Sequence, residues 1–231
     1  GILIADRTTG PSVPSSCMWN DDDGEVHAMI SWVNPPSTED GGPVFVSEYS
    51  NGSWGEPVQV GTQEIASSPS LGCSADHLSI VFRQEVDSGI NLYFTQRRDG
   101  EWEEPEYILL GADPHLAECG EDIWIGYHWN GARRAHSSDG GESWQYEIVD
   151  DNGKFGSIAC EGNIVAYEYG KYSSKAASNT KDDTERTVGA QISFDNGETW
   201  EEWEPAEGEM QQSIASVDIF DSEIVIYWRA N

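Results

Sequence analysis

One eight-residue pattern occurs twice and restricts the chain more than anything else in it: Ser137-Ser-Asp139-Gly-Gly141-Glu-Ser-Trp144 and Ser193-Phe-Asp195-Asn-Gly197-Glu-Thr-Trp200. Both read S-x-D-x-G-x-x-W, and each stands between an extended apolar run and a second, shorter one. A carboxylate two residues after a serine can accept the backbone N–H groups of its own turn, and glycine at the fifth position adopts positive φ at little steric cost. The tryptophan then folds back over the turn. A chain punctuated this way is a chain of strands joined by tight turns. Ser137, Asp139, Gly141, Trp144, Ser193, Asp195, Gly197 and Trp200 are the positions that the pattern fixes.

A longer repeat runs around these turns. Leu71-Gly-Cys73 precedes a turn and Leu78-Ser-Ile-Val-Phe82; Ala117-Glu-Cys119 precedes Ile123-Trp-Ile-Gly-Tyr127; Ile158-Ala-Cys160 precedes Ile164-Val-Ala-Tyr167. Alternation and turn chemistry make these β-hairpins. Ser16-Cys17 followed by Val26-His-Ala-Met-Ile30 is the same unit with a longer turn, and Ile219-Phe220 followed by Ile224-Val-Ile-Tyr227 is the last, with Phe220 in the cysteine position. The intervals are 56, 46, 41 and 60 residues, irregular because loops vary where strands do not. That spacing fits propeller blades. The four cysteines occupy one repeat position, and equivalent positions on neighbouring blades are expected to lie beyond the ~7 Å Cα separation that a disulfide spans. Four free, buried thiols are the expectation, and the absence of paired C-x-x-C or H-x-x-x-H spacing leaves no metal site.

Each of the first four repeats continues into a third strand and a tryptophan turn leading to a fourth. Val44-Phe-Val-Ser47 reaches Gly52-Ser-Trp54 and Leu92-Tyr-Phe-Thr95 reaches Gly100-Glu-Trp102; Glu56-Pro57 and Glu104-Pro105 follow. The fifth repeat stops after two strands, while Ile2-Leu-Ile-Ala-Asp6 and Thr9-Gly10 match a third strand with nothing before it. The predicted fold is all-β: a five-bladed β-propeller closed by strands from both termini, which buries otherwise open edges. A six-bladed or a partial propeller is the alternative. The chain reads as one domain over 1–231, with blades near 11–61, 62–111, 112–152, 153–208, and 209–231 plus 1–10.

The paired turns resemble the Asp-box (BNR repeat) of the sialidase-like β-propellers. The resemblance implies that each box is the turn between the third and fourth strands of a blade, on the side away from the ligand, so that its residues are structural and neither Asp139 nor Asp195 is catalytic. It covers most of the chain as architecture but only the two boxes as sequence. A sialidase also carries an F-R-I-P-type motif, an arginine triad, a tyrosine nucleophile paired with a glutamate, and six blades. This sequence has no F-R-I-P.

Charge narrows the functions. Forty-two acidic residues against 12 Lys plus Arg give a formal charge of -30, a field that repels phosphates and anionic lipid and so argues against nucleic-acid and membrane-surface partners. Ten Trp, nine Tyr and six Phe supply a packed core, unlike a disordered acidic chain. The composition predicts a halophile's surface, whose self-repulsion is screened at molar salt, where the Debye length falls to about 3 Å. No run of 18 apolar residues occurs, and Gly1-Ile-Leu-Ile-Ala is too short for a signal peptide or a span. Any leader is expected to have been removed or never to have existed.

The ligand face of a propeller is built by the loops between second and third strands and those linking blades. The second strands end in Ser31-Trp32, Phe82-Arg83, Tyr127-His128-Trp129, Glu168-Tyr169 and Trp228-Arg229. Trp32, Arg83, His128, Trp129, Glu168, Tyr169 and Arg229 are the predicted ligand-binding residues. Aromatic faces with hydrogen-bonding groups between them suit sugars. The expected partner is a glycan or a glycosylated surface protein, with no cofactor and no membrane insertion, and the expected protein is a glycan- or receptor-binding propeller displayed outside the cell as a secreted lectin, surface protein or virion attachment domain. A sialidase-like glycoside hydrolase is the alternative, with Glu168 as its catalytic residue. Glu168 and Tyr169 point to opposite faces of one strand, and a glycosidase needs two convergent carboxylates about 5 to 10 Å apart. A structural, protein-docking propeller is the third reading. Two other segments are noted: the polar insertion of 170–188, holding three of the four lysines, and Asn20-Asp-Asp-Asp23-Gly24-Glu25, which resembles a calcium loop but has Trp19 at the first liganding position and no glutamate at the closing one. The latter reads as a hairpin tip.

Overall fold

The computed structural model describes residues 14–21, 23–33, 41–61, 66–74, 77–87, 89–172, 186–203 and 212–230. The regular structure among them is twenty β-strands and no helix, so no helix there is long and apolar enough to cross a membrane. The predicted N-terminal strand, residues 173–185 of the polar insertion and the side chain of Arg229 lie outside the described residues. Two compact units are present, Gly1–Pro114 and His115–Asn231.

The first unit holds two antiparallel sheets. One contains β1 (Ser15–Asn20), β2 (Val26–Val33), β3 (Val44–Ser50), β4 (Ser53–Trp54) and β5 (Val58–Val60); the other contains β6 (Ala66–Cys73), β7 (Leu78–Val86), β8 (Gly89–Arg98), β9 (Glu101–Trp102) and β10 (Glu106–Leu110). In each, the third strand carries both short strands that follow it, β4 and β5 on β3, β9 and β10 on β8. The break between the two short strands is built identically. Gly55 N–H donates to Glu48 O at 2.7 Å and the Ser47 hydroxyl to Gly55 O at 2.8 Å, while Glu103 N–H donates to Gln96 O at 2.9 Å and the Thr95 hydroxyl to Glu103 O at 2.7 Å. The Glu-Pro pairs sit just past this hook, where proline has no N–H to pair.

The second unit holds the sheet β11 (Ala112–Cys119), β12 (Asp122–His128), β13 (Ala132–Ser137), β14 (Gln145–Asp150), whose first strand starts three residues before His115, and the sheet β15 (Lys154–Glu161), β16 (Ile164–Tyr172), β17 (Arg186–Ser193), β18 (Glu201–Trp203). Both are antiparallel in simple chain order. The hairpin β19 (Gln212–Phe220) and β20 (Glu223–Ala230) completes it. The second strands are the most apolar because both of their faces are covered: Ile80, Val81 and Phe82 on β7, and Ile123, Trp124, Ile125 and Tyr127 on β12, are all buried. Strands buried on two faces lose the apolar–polar alternation. The fourth strands keep exposed residues, Tyr146 and Ile148 on β14 among them.

The expectation of free thiols is overturned. Cys17 pairs with Cys73 and Cys119 with Cys160, each with a Cα–Cα distance of 6.0 Å. The first strands of successive sheets run side by side, so their equivalent ends come inside the bridging limit. Leu71 N–H, two residues before Cys73, donates to the Ser15 hydroxyl at 3.0 Å, which marks the same close approach of β6 to β1. Each bridge closes a long loop and contributes about 2 to 4 kcal/mol by restricting the unfolded chain.

Candidate functional site

The S-x-D-x-G-x-x-W turns join β13 to β14 and β17 to β18, third strand to fourth in both sheets. Their hydrogen bonds are duplicated. The Ser137 hydroxyl donates to Asp139 at 2.7 Å and accepts Gly141 N–H at 2.8 Å; the Ser193 hydroxyl donates to Asp195 at 2.7 Å and accepts Gly197 N–H at 2.7 Å. Asp139 accepts Ser143 N–H at 2.9 Å and Asp195 accepts Thr199 N–H at 2.8 Å, and the Ser143 and Thr199 hydroxyls add a bond each. Bonds from Ser143, through its hydroxyl and then its N–H, and from the Ser137 hydroxyl hold Asp139 down at about 2, and the Thr199 hydroxyl leads the same effect on Asp195. Each carboxylate thus accepts three hydrogen bonds from its own turn.

Trp200 does more than cover its turn. Its Nε1–H donates to Gly197 O at 3.0 Å, its ring stands edge-on to Trp124 at 5.7 Å, and the Arg134 guanidinium lies 3.5 Å over it. Gly197, at φ +84°, is where a side chain would strike Trp124, a Cβ landing 2.7 Å from its Cζ2. Arg134 is 3% exposed and donates to Glu147 Oε2 at 2.6 and 2.8 Å and to Gln191 at 2.8 Å. Sequence reasoning missed this arginine. The available signal was its place on a strand opposite Glu147.

The second-strand ends differ in what they present. Within Gly1–Pro114, Trp32 is buried against Phe45, its cross-strand partner on β3, with ring centroids 6.0 Å apart. Arg83 on β7 is partly buried and pairs with Glu85 at 3.3 Å. Within His115–Asn231, β12 ends in a tight turn to β13: Trp129 N–H donates to Gly131 O at 3.1 Å, the His128 ring bonds the same carbonyl through Nδ1 at 3.0 Å, and Arg133 Nε donates to Trp129 O. His128 and Trp129 stay partly exposed at this fixed tip.

On β16, alternation sends Tyr167 and Tyr169 to one face and Glu168 to the other. The two rings stack at 5.8 Å, in space cleared by glycines: a Cβ on Gly126 would lie 2.6 Å from Tyr167 and one on Gly189 2.7 Å from Tyr169. Burial raises the Tyr167 phenol far above its ordinary value. Glu168 pairs in register with Ser157 on β15 and Ala190 on β17. On its side of the sheet, Ala166 packs with Val217 and Ile219 of β19, and Ser157 Oγ receives Val217 N–H at 3.4 Å. Glu168 is 1% exposed, and neither carboxyl oxygen has a hydrogen-bond partner among the described residues. Burial pushes it up to about 8. At neutral pH it is a neutral carboxylic acid inside the protein.

Among the described residues, one set of side chains has metal-ligand spacing. Asp21, Glu25 and His27 bring donor atoms within 4.8 Å of one another at the β1–β2 turn. Asp21 is already occupied: Oδ1 accepts the N–H groups of Asp23 at 3.1 Å and Glu25 at 2.8 Å, and Oδ2 lies 3.2 Å from His27 Nε2. The Glu25 N–H, then His27, lower its carboxyl below the usual range.

No protein-family model matches the chain, and no curated protein matches it. Solved structures do. The chain is similar to α-L-arabinanase of Penicillium chrysogenum complexed with arabinobiose, at TM-score 0.63 and 11% identity over 94% of this chain and 74% of that one. It is similar to the GH93 α-L-arabinofuranosidase of Fusarium graminearum with arabinobiose, at TM-score 0.60 and 14% identity over 93% and 73%, and to Trypanosoma rangeli sialidase in complex with the inhibitor DANA, at TM-score 0.57 and 13% identity over 96% and 44%. The chain therefore spans less than half the length of the sialidase. At these identities the likeness shows the fold alone, which is that of the sialidase-like and arabinanase-like β-propellers.

Proposed function

We propose that the protein is a carbohydrate-binding β-propeller that holds its glycan without hydrolysing it. The observation that carries this reading is the contrast between the ends of β16 and β12, two of the second strands of the second unit. Glu168, the carboxylate that the strand ends supply, is enclosed against β19, whereas Trp129 and His128 remain partly exposed on a turn fixed by three hydrogen bonds. A buried carboxyl does not reach a glycosidic oxygen; an indole carried at a surface stacks on the C–H face of a sugar. The solved neighbours that carry arabinobiose support the ligand class. Trp32, 7% exposed, and Tyr169, 2% exposed and stacked on Tyr167, are enclosed and drop out of the binding set, and the two S-x-D-x-G-x-x-W turns serve as Asp-boxes that brace the sheets. The acidic surface fits a salt-loving source and display outside the cell, on a secreted protein, a cell surface or a virion.

Trp129→Ala is expected to weaken glycan binding by about 1 to 3 kcal/mol, measured on an array and then by titration in multimolar salt. Glu168→Gln should leave binding unchanged. Absence of any saturable glycan signal from the folded protein would sink the reading. The hydrolase reading is favoured by the burial that raises the Glu168 carboxyl, the direction that a general acid requires. It predicts released sugar, lost in Glu168→Gln with binding intact.

The same reading includes five blades, with the β19–β20 hairpin completed by the N-terminal strand. Among the described residues β20 pairs only with β19, and Phe220, 78% exposed, Val225 and Tyr227 lie open on the hairpin. Removing residues 1–7 is expected to cost about 2 kcal/mol and lower Tm by about 4 to 8 °C. An unchanged melting curve would exclude closure by that strand.

A further inference from the structure

The two units fill equivalent positions between their sheets differently. Counted from the last pair of the ladder between second and third strands, Val33 with Val44 and His128 with Ala132, Met29 corresponds to Trp124, Val46 to Arg134 and Glu48 to His136. One strand further out, Val58 corresponds to Glu147. In the second unit these positions are full: Trp124 meets Trp200, and the Arg134 guanidinium lies on the Trp200 ring, held by Glu147 at 2.6 Å. In the first unit the turn tryptophan of the following sheet is Trp102, packed on the core that contains Met29 and Val46. The shorter side chains there leave a cleft of about 400 Å³ lined by Met29, Val46, Val58 and Trp102, a volume within the range of small-ligand sites.

The charge on the rim is unbalanced. Glu48 is neutralised by Arg97 Nη1 at 2.6 Å. Glu56 and Glu101 also line the cleft and enter no ion pair among the described residues. An apolar floor, an indole and two uncommitted carboxylates make a seat for a cation on an apolar stem, and elsewhere in the chain the equivalent seat is taken by an arginine.

We propose that this cleft binds a guanidinium group on an aliphatic stem, the ligand occupying in the first unit the place that Arg134 occupies over Trp200 in the second. The chemistry is shared by a free alkylguanidine and by an arginine side chain of a polypeptide. Guanidinium suits the seat better than ammonium because its plane both stacks on the indole and forks to carboxylates.

The test uses the full chain, at the salt concentration that keeps it folded, and follows the indole N–H resonance of Trp102, assigned by its loss in Trp102→Phe. n-Butylguanidine, a capped Ala-Arg-Ala peptide and n-butylurea, the uncharged isostere of n-butylguanidine, are titrated separately. At least one guanidinium ligand should give a saturable shift with an affinity at least about tenfold above butylurea, since one charge-assisted pair is worth that much. Tighter binding of n-butylguanidine assigns the cleft to a free small molecule; tighter binding of the peptide assigns it to a polypeptide partner. Glu56→Gln combined with Glu101→Gln, both exposed and tolerant of substitution, should weaken binding by about tenfold or more, and Val46→Arg should abolish it by seating the chain's own guanidinium. No saturable shift from either guanidinium ligand at millimolar concentrations, equal affinity for butylurea, or unchanged binding by the double glutamine variant would each overturn the proposal.

Discussion

Replacing Trp200 with alanine is expected to destabilise the protein by about 3 to 5 kcal/mol, the range for emptying a packed aromatic site. The ring is the meeting point of two sheets. It stands edge-on to Trp124 and carries the Arg134 guanidinium 3.5 Å above its face, an arrangement worth about 0.5 to 2 kcal/mol beyond area burial when desolvated. Arg134 is 3% exposed, so its charge depends on the ring beneath it and on Glu147. Burial already lowers the Arg134 pKa from its ordinary value, against the opposing pull of Glu147. Trp200→Phe keeps a face for the cation and loses only the bond from Nε1 to Gly197 O, at 3.0 Å, so about 1 kcal/mol is expected there. Trp203→Ala, three residues on and exposed, serves as the control, with an effect near the 0.5 kcal/mol typical of surface sites. Urea unfolding at fixed high salt measures all three. A Trp200→Ala protein within about 1 kcal/mol of the parent would show that Arg134 and Glu147 hold the sheets together without the indole.

The strands were legible because turn chemistry is local. Glycine and aspartate at fixed offsets mark where each strand ends, and the described sheets run third strand, turn, fourth strand through Ser137–Trp144 and Ser193–Trp200. What could not be read was anything decided between sheets. The cysteines shared a repeat position, and spacing of 56 and 41 residues says nothing about how close the first strands run; only the coordinates bring the Cα atoms to 6.0 Å. Arg134 looked like an ordinary charge on an alternating strand, and its ring partner comes from a turn 66 residues later by position in the chain. The candidate site divides the same way. The His128–Trp129 tip is a local turn and was visible in the sequence as Tyr127-His128-Trp129 before Gly131. The enclosure of Glu168 was not, because strand parity separates it from Tyr167 and Tyr169 without showing that β19 covers the face it joins.

Glu168 should make the protein less stable as pH rises from acid to neutral and beyond. Its folded-state value is pushed up to about 8 by burial, against an ordinary value of 4.5. Below about pH 4.5 the carboxyl is protonated in both folded and unfolded chains and contributes no pH dependence. Between 4.5 and 8 the unfolded chain ionises while the folded one stays neutral, so each pH unit costs about 1.4 kcal/mol. Above 8 both forms are ionised and the loss levels off, at a total on the order of 5 kcal/mol. No partner among the described residues offsets this, since both oxygens lack a hydrogen bond. Glu168→Gln keeps the shape and removes the proton equilibrium. The expected result is a variant close to the parent at pH 4.5 and more stable than it by several kcal/mol at pH 8, with most of the difference accumulating between those values. Unfolding free energies taken at half-unit steps in constant high salt give the comparison. Parallel curves for the two proteins would mean that Glu168 is ionised in the folded state at neutral pH, and would return it to consideration as a solvated, substrate-facing carboxylate.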